Sequence, residues 1–400
     1  MYRKTRIEVN LDNISYNVKN IVEKFSEYQY HIAMVKANAY GHGMYVINEM
    51  IKSGINYFAV SSLEEAMQIR RYSKEIPVLC TEIIDLDCID VAINNNITLT
   101  IHDYEYLEKI SKLKKEATVH IKIDTGMHRI GVSTRKEFNQ IVELIKKNKN
   151  IKLEGLYTHF ATPGVIDKFY DNQIKEFKNI TKDIDLKEIP IIHMSSSFIS
   201  LSHPKIEFCN AIRIGTILYG YDISLKSMNN SPKNMLKKAR NKYLVKKNNI
   251  SECIYDNKIE LKKCFELKTN IMQIKKLKKG DKVGYGILYT APHDTYIATI
   301  PIGYDDGIGT NHEGRQVSIN NKKYNVVGEI SMCMMNIEVD STVKLTDEVT
   351  IVGDGLTIYN IASSSNTTFH NTLVNLGKTL PRVYKKNNKI VHEENFYKEA

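Results

Sequence analysis

The sequence predicts an α/β protein: a (β/α)8 barrel of the TIM type followed by a mainly-β C-terminal domain. From about residue 30 onward, short β-rich apolar runs alternate with helical patterns, and eight such runs precede residue 222. After residue 258 the pattern changes to closely spaced strands separated by turns. A chain of 400 residues also favours two domains, because single cores rarely grow beyond about 250–300 residues.

The eight candidate barrel strands are apolar, rich in β-branched residues and bounded by polar segments. They are His31–Lys36, Tyr57–Ser62, Ile76–Thr81, Ile97–His102, Thr118–Asp124, Lys152–Phe160, Ile189–Ser197 and Asn210–Ile214. Between them, segments such as Leu63–Tyr72 and Arg135–Asn150 carry apolar residues at spacings of three and four. These segments are predicted to be outer helices.

The C-terminal third alternates in the manner of strands, with turn residues between the runs. The candidate strands are Tyr296–Pro301, Gln316–Asn320, Tyr324–Val327, Met334–Val339 and Glu348–Val352, with turns at Asn320-Asn321 and Gly353-Asp354-Gly355. We expect the barrel over 12–225, a basic insertion or linker over 226–258 with a weak helical pattern at Asn234–Val245, and the β domain over 1–11 and 259–400.

The net charge of +10 raises the question of nucleic-acid binding. Nine basic and only two acidic residues lie between positions 226 and 258, so the excess is concentrated in the insertion and no nucleic-acid partner is expected. The chain shows no N-terminal apolar signal and no long apolar run, so we expect a cytoplasmic protein without a membrane partner. The six cysteines form no CxxC pair, and neither a disulfide framework nor a metal site is predicted.

Polar residues follow the predicted strands, at the edge where the active sites of (β/α)8 enzymes lie. They are Lys36, Lys122, Asp124, His159, Ser195, Ser196, Ser197, Arg213 and Gly215. A lysine buried at the end of an apolar strand costs several kcal/mol unless it is paired or used. On the residues alone, Lys36 is therefore either a catalytic lysine or one that extends to solvent.

The segment MVKANAYGHG (Met34–Gly43) resembles the pyridoxal 5′-phosphate (PLP) lysine signature of the alanine racemases. Further segments resemble the family in the same order, over nearly the whole chain apart from the basic insertion. They are KIDTGMHRIG (Lys122–Gly131), LYTHFA (Leu156–Ala161), HMSSS (His193–Ser197), RIGTILYG (Arg213–Gly220), VGYGILYTAP (Val283–Pro292), IPIGYDDG (Ile300–Gly307) and GEISMCMMNI around Met332.

This resemblance implies a PLP-dependent racemase in which Lys36 holds the cofactor as a Schiff base. Racemisation needs acid/base groups on opposite faces of the α-carbon. By its motif, the second group is Tyr285 of the partner subunit, which implies a homodimer with shared active sites acting on a small amino-acid substrate. Arg213 matches the arginine that faces the pyridine nitrogen. Because arginine only donates, it keeps that nitrogen unprotonated and restrains side reactions.

The resemblance also implies the remaining cofactor contacts and the substrate contacts. Cofactor contacts fall on Tyr40, His159, Ser197, Gly215 and Thr216. Substrate contacts fall on Arg129, on the backbone near Met332 and on Tyr304 at the entrance, and Lys122 matches a lysine that is carbamylated in some members.

Departures from the family pattern leave the substrate open. Glu329 and Cys333 stand where the family usually has an arginine and an aspartate, and Lys378 and Thr379 occupy a position that helps to set pocket size. Alanine is the family-level expectation, with D-alanine biosynthesis as its role. A racemase for serine or another amino acid, and an inactive PLP-binding paralogue, are the alternatives. A PLP-dependent decarboxylase would place a carboxylate where Arg213 lies, and small single-barrel PLP proteins lack the second domain.

Overall fold

The computed structural model describes residues 3–162, 168–221, 259–311, 314–353 and 355–395, with a few helical positions between 232 and 247. The chain divides into a barrel unit, Asn13–Lys36 with Met44–Lys263, and a sheet unit, Met1–Asp12 with Ala37–Gly43 and Cys264–Ala400. The predicted helix at Asn234–Val245 is described only at five positions, all of them helical (Met235, Leu236, Ala239, Arg240 and Tyr243), and most of the basic insertion and Asp354 lie outside the described residues.

The barrel is closed by eight parallel strands, which follow the N-terminal strand β1 (Arg6–Asn10) of the sheet unit. The barrel strands are β2 (Tyr30–Met34), β3 (Tyr57–Val60), β4 (Val78–Cys80), β5 (Ile97–Ile101), β6 (Ala117–Lys122), β7 (Ile151–Tyr157), β8 (Ile191–Ser196) and β9 (Ala211–Ile214). All eight predicted strands are confirmed, and β9 pairs with β2 to close the ring. Most residues of these strands are apolar because each strand is covered on both faces.

Helices connect the barrel strands and present apolar stripes to them. Their bounds are Leu11–Lys24, Val46–Lys52, Leu63–Tyr72, Ile89–Asn94, Tyr104–Ser111, Arg135–Lys147, Lys168–Ile180 and Ser197–Ser202. Side-chain oxygens of Ser62, Asp103 and Thr134 accept hydrogen bonds from the first turns of three of these helices, satisfying amides that have no intrahelical partner. No helix among the described residues is both long and apolar enough to cross a bilayer.

The sheet unit is built on a ten-stranded sheet in the order β11-β14-β17-β16-β15-β18-β10-β1-β19-β20. Its strands after the barrel, with the short pair β12 and β13 beside them, are β10 (Phe265–Asn270), β11 (Gln273–Leu277), β12 (Lys282–Val283), β13 (Tyr289–Thr290), β14 (Thr295–Ile300), β15 (Gln316–Ile319), β16 (Lys322–Val327), β17 (Met335–Val339), β18 (Glu348–Val352), β19 (Arg382–Lys386) and β20 (Lys389–Glu394). Helices Ile358–Ser364 and Phe369–Asn375 precede β19. The five predicted strands are confirmed, and the predicted turn at Asn320-Asn321 has φ values of 50° and 63°.

The segment after Lys36 forms a left-handed turn that belongs to the sheet unit. Residues 37–40 are not glycines, yet their φ values are 52–53°. Each such residue costs about 1–2 kcal/mol, so the surroundings must hold the turn in place. Arg382, which is buried, donates from Nε to the carbonyl oxygen of Gly41 at 3.0 Å. This hydrogen bond ties the turn to β19.

We predict that Gly43→Ala destabilises the protein because Gly43 has both a positive φ of 85° and no room for a side chain. A Cβ there would collide with the Tyr384 hydroxyl and lie 2.8 Å from Arg382 Cδ. Strain of about 1–2 kcal/mol and overpacking of about 1–3 kcal/mol would add. Thermal unfolding followed by circular dichroism measures the loss.

Gly280→Ala is the matched control, since Gly280 has φ of 94° but no described atom lies within 4 Å of its added Cβ. It should show the strain alone. Equal melting temperatures for the two variants would contradict the steric part of the prediction.

Candidate active site

Arg213 is a buried cation in β9, 5% exposed. Its terminal nitrogens donate to the carbonyl oxygens of His193 and Thr158 at 2.8 Å and of Met194 at 2.9 Å. The carbonyls lie in β8 and just after β7, so three neighbouring segments of the barrel converge on one guanidinium. Burial lowers the pKa of Arg213 to about 10, which leaves it protonated at neutral pH.

Two imidazoles complete the surroundings of Arg213. Its Nη1 lies 2.7 Å from His193 Nδ1, and its Nη2 lies 3.1 Å from His159 Nδ1. Burial first, and then the charges of Arg213, Lys122, Arg129 and Lys36, lower the pKa of His159 to about 3. His159 is therefore neutral, accepts from Arg213 at Nδ1 and carries its hydrogen on Nε2.

Lys122 ends β6 as a second buried cation, 4% exposed. Its Nζ donates to the carbonyl oxygen of Ile123 at 3.2 Å and lies 5.2 Å from the centroid of the Tyr157 ring. Burial and the charge of Arg213 lower the pKa of Lys122 to about 7, although Asp124 acts in the opposite direction. A substantial fraction of this amine is uncharged at neutral pH.

The loop that carries Arg129 is ordered by Asp124. One carboxylate oxygen of Asp124 accepts from the amides of Gly126 and His128, both at 3.0 Å. Arg129 itself is exposed, yet its charge contributes to lowering the pKa of Lys122 and of His159. Asp124 thus orders the backbone of the loop, and Arg129 makes no hydrogen bond or ion pair among the residues that the structure describes.

Lys36 follows β2 by two residues, and its side chain is exposed. The exposure does not decide between the two alternatives for this lysine, a catalytic role and extension to solvent, because an exposed ammonium carries no burial cost. The cost of burial therefore gives no reason for its role. The position of Lys36 is informative instead, because its charge is one of those that lower the pKa of His159.

Ser197 and Gly215 meet at the ends of β8 and β9. The Gly215 amide donates to Ser197 Oγ at 2.8 Å, so the serine hydroxyl keeps its own hydrogen for another acceptor. Thr216 begins the buried turn Thr216–Tyr219 directly afterwards. Barrel enzymes often hold phosphate at the loops after their last two strands.

The barrel residues fit a ligand with a phosphate and a hydrogen-bond acceptor such as a pyridine nitrogen. Four cationic groups act on one region, and Asp124 is occupied by backbone amides. All hydrogen bonds of the Arg213 side chain use Nη1 and Nη2, which leaves its Nε without an acceptor among the residues that the structure describes. One fixed N–H is thus available to a ligand, and it suits an unprotonated pyridine nitrogen such as that of PLP.

The sheet unit brings the other predicted residues together on loops. The amide of Tyr304 donates to the carbonyl oxygen of Ser331 at 3.2 Å, and the amide of Asp305 donates to that of Met332 at 3.0 Å. Arg3 anchors the turn Tyr304–Asp306 through two hydrogen bonds of 2.7 Å to the Asp306 carboxylate. Tyr304 and Met332 are consequently held side by side.

Tyr285 lies on a neighbouring loop, after β12, and is 71% exposed. Added to Gly284, a Cβ would lie 3.6 Å from the amide nitrogen of Glu329, so the Tyr285 turn runs beside the Glu329 segment. Tyr40, half-buried in the left-handed turn, belongs to the same unit. Large apolar side chains around Tyr285 are also exposed: Ile287, Leu288, Met332 and Met334.

The sequence did not predict a role for three polar residues of the barrel interior, which are linked to Arg213 by hydrogen bonds: His193, His120 and Glu154. His193 Nε2 lies 3.0 Å from His120 Nδ1, and His120 Nε2 lies 3.1 Å from the Glu154 carboxylate. The available signal was a histidine inside an apolar barrel strand, where a polar group needs a partner.

The chain is similar to known proteins over both of its units. Residues 9–223 match the family described as alanine racemase, N-terminal domain, and residues 264–384 match alanine racemase, C-terminal domain. Alanine racemase 1 of Clostridium acetobutylicum is 33% identical over 414 residues, covering 99% of this chain and 100% of that protein.

Solved structures show the same architecture. The alanine racemase of Clostridium difficile 630 superposes with a TM-score of 0.86 at 30% identity, covering 99% of both chains. The histidine racemase of Leuconostoc mesenteroides subsp. sake superposes with a TM-score of 0.82 at 26% identity, covering 96% of this chain and 99% of that one.

Proposed function

The chain belongs to the alanine racemase family, and we propose that it interconverts L-alanine and D-alanine with PLP as cofactor. The observation that carries this proposal is the arrangement around Arg213, which presents one N–H to a ligand beside neutral His159 and among several cations. In this proposal the barrel domain binds the cofactor, and the β domain supplies the second catalytic residue.

When bound, PLP withdraws electrons from the α-carbon of an amino acid and so makes its α-hydrogen acidic. Arg213 would donate a hydrogen bond to the ring nitrogen and leave it unprotonated, so that electron withdrawal would be weaker than with a protonated ring and rapid return of the proton would be favoured over side reactions. Tyr40, Ser197, Gly215 and Thr216 would hold the phosphate, and His159 would have its Nε2–H available beside the ring. Arg129 and the backbone near Met332 hold the substrate carboxylate, and Tyr304 lines the entrance.

Lys36 exchanges the α-proton on one face, and Tyr285 of the partner subunit exchanges it on the other. The exposure of Tyr285, Ile287 and Leu288 supports the homodimer that this requires. Exposed apolar surface of this kind is characteristic of protein–protein interfaces. Covering it would also exclude water from the tyrosine.

The preferred amino acid depends on residues beside the Tyr285 turn. Glu329 lies there in place of the usual arginine, next to a loop that includes the exposed Cys333. A histidine racemase of similar architecture shows that the fold serves side chains larger than a methyl group. The second candidate is therefore a racemase for serine or another amino acid.

Lys122 is further proposed to carry a carbamate. Its uncharged amine attacks carbon dioxide, forming an N–C bond and releasing one proton, and the resulting anion lies near the charges of Arg213 and Arg129. That anion would offset two cations and orient Arg129 toward the substrate.

The first prediction concerns the two acid/base residues. In heavy water the PLP-loaded protein should exchange the α-proton of L-alanine and racemise it, and Lys36→Ala should abolish both. Tyr285→Phe should lower racemisation by about 10²–10⁴-fold, the usual contribution of a general acid/base. NMR and chiral chromatography measure both processes, with L-serine, L-lysine and L-histidine offered separately.

Tyr359→Phe is the control for Tyr285→Phe, because Tyr359 is also an exposed tyrosine of the sheet unit. It should leave the rate unchanged. Preference for another substrate would favour the second candidate, and full activity of Tyr285→Phe would contradict the two-base scheme.

Shared active sites predict complementation between two inactive variants. A hybrid dimer of Lys36→Ala and Tyr285→Phe subunits has one intact site, so a randomly mixed population should regain about a quarter of wild-type activity. Mixing after reversible dissociation, with light scattering to verify the dimer, tests this. Absence of recovery in verified hybrids would place both residues of each site in one subunit.

The carbamate predicts a carbon-13 signal after incubation with labelled bicarbonate. Because the pKa of Lys122 is lowered to about 7, the signal should weaken as the pH falls from 8 to 6 and the amine becomes protonated. Lys122→Met should remove it, and Lys152→Met, at an exposed lysine, should not. A wild-type spectrum without this signal at pH 8 would rule the modification out.

A further inference from the structure

A continuous line of buried hydrogen bonds leads from Arg213 through the interior of the barrel. His193 accepts from Arg213 at 2.7 Å, His193 and His120 are 3.0 Å apart at their facing nitrogens, and His120 lies 3.1 Å from the Glu154 carboxylate. Both imidazoles are fully buried. The line links β9, β8, β6 and β7, and the proposed reaction makes no use of its last three members.

The direction of every hydrogen bond in this line follows from its two ends. A guanidinium only donates, so His193 accepts at Nδ1 and carries its hydrogen on Nε2. That hydrogen points to His120 Nδ1, so His120 carries its own hydrogen on Nε2 and donates it to Glu154. A carboxylate only accepts, which agrees with the direction set by Arg213.

The Glu154 end remains charged although it is largely enclosed. Burial works to raise the pKa of Glu154, but hydrogen bonds from His120 and Tyr57 outweigh it and lower the pKa. Tyr57 donates to the same carboxylate oxygen at 2.7 Å. Burial lowers the pKa of both His120 and His193, so both imidazoles are neutral and the charges of the line lie at its two ends, on Arg213 and Glu154.

Neighbouring barrel residues pack against the two histidine rings of this line. Gly155 lies against His120, and an added Cβ would be 2.6 Å from Cε1 and 2.7 Å from Nδ1 of the imidazole. The ring of Tyr157 stacks on His193 with centroids 4.7 Å apart and an interplanar angle of 7°. Each of the two imidazole rings is thereby restricted to a single orientation and a single set of hydrogen-bond partners.

We propose that Glu154 is the remote counter-ion of Arg213. His193 and His120 are positioning residues, which hold the Arg213 guanidinium so that its Nε–H donates toward the cofactor. Among the described residues no carboxylate contacts the guanidinium directly, since its acceptors are carbonyls and imidazoles. Arg213 faces a ring nitrogen only if the proposed function holds. The line of hydrogen bonds from Arg213 to Glu154, the relay, does not depend on that function.

Removing the Glu154 charge should change reaction specificity. A less compensated Arg213 is a stronger donor, which would increase electron withdrawal through the ring nitrogen and lengthen the life of the deprotonated substrate. Abortive transamination, in which the amino group of alanine is transferred to PLP to give its amine form and pyruvate is released, should then rise relative to racemisation. A remote charge acting through a low-dielectric interior should raise this ratio by about threefold or more.

Three variants of the full-length protein test this consequence. Glu154→Gln removes the charge and keeps an acceptor for His120 and Tyr57, and Gly155→Ala displaces the His120 ring while keeping the charge. Both should raise pyruvate released per racemisation turnover. Glu143→Gln, the same change at an exposed glutamate, should not. A lower melting temperature of Glu154→Gln with an unchanged ratio would reduce the relay to a structural role and overturn the proposal.

Nitrogen-15 NMR of histidine-labelled protein, with and without PLP, tests the relay independently of activity. His120 and His193 should both be neutral and protonated at Nε2 at about pH 7, and Gly155→Ala should disturb His120. Protonation of either ring at Nδ1 would overturn the proposal. The expected NMR result in a protein that fails to racemise alanine would uphold the relay and reject only the proposed substrate.

Discussion

The buried guanidinium of Arg213 is the charge on which the arrangement of the barrel interior depends. Its terminal nitrogens need acceptors, and the carbonyls of His193, Thr158 and Met194 supply three of them. A buried cation without such partners would cost several kcal/mol. The ends of β7, β8 and β9 are therefore held together by one side chain, and the imidazoles beside it are restricted to a single tautomer.

The same cation sets the electrostatics of its neighbours. Together with burial it lowers the pKa of Lys122 to about 7 and contributes to lowering that of His159 to about 3. The result is a region with fixed positive charge, two uncharged imidazoles and one titratable amine. Such a region favours anionic ligands. Because His159 is neutral, it can form hydrogen bonds with a ligand but adds no charge of its own.

The sheet unit depends on backbone constraints rather than on buried charge. The left-handed turn after Lys36 is held by Arg382 and allowed by the absence of a side chain at Gly43. The loops bearing Tyr285, Tyr304 and Met332 are joined through amide–carbonyl hydrogen bonds and close glycine contacts. Backbone contacts of this kind tolerate side-chain changes, which explains how Glu329 and Cys333 are accommodated.

The sequence by itself determined the barrel, the five predicted strands of the β domain and the family, because apolar periodicity and short motifs are local properties of the chain. It also indicated which strand ends carry polar groups. The exposure of Lys36 and the line from Arg213 to Glu154 were decided only by the tertiary structure. His120, Glu154 and His193 come from three different strands, and only the curvature and register of a closed barrel bring their polar atoms within hydrogen-bonding distance.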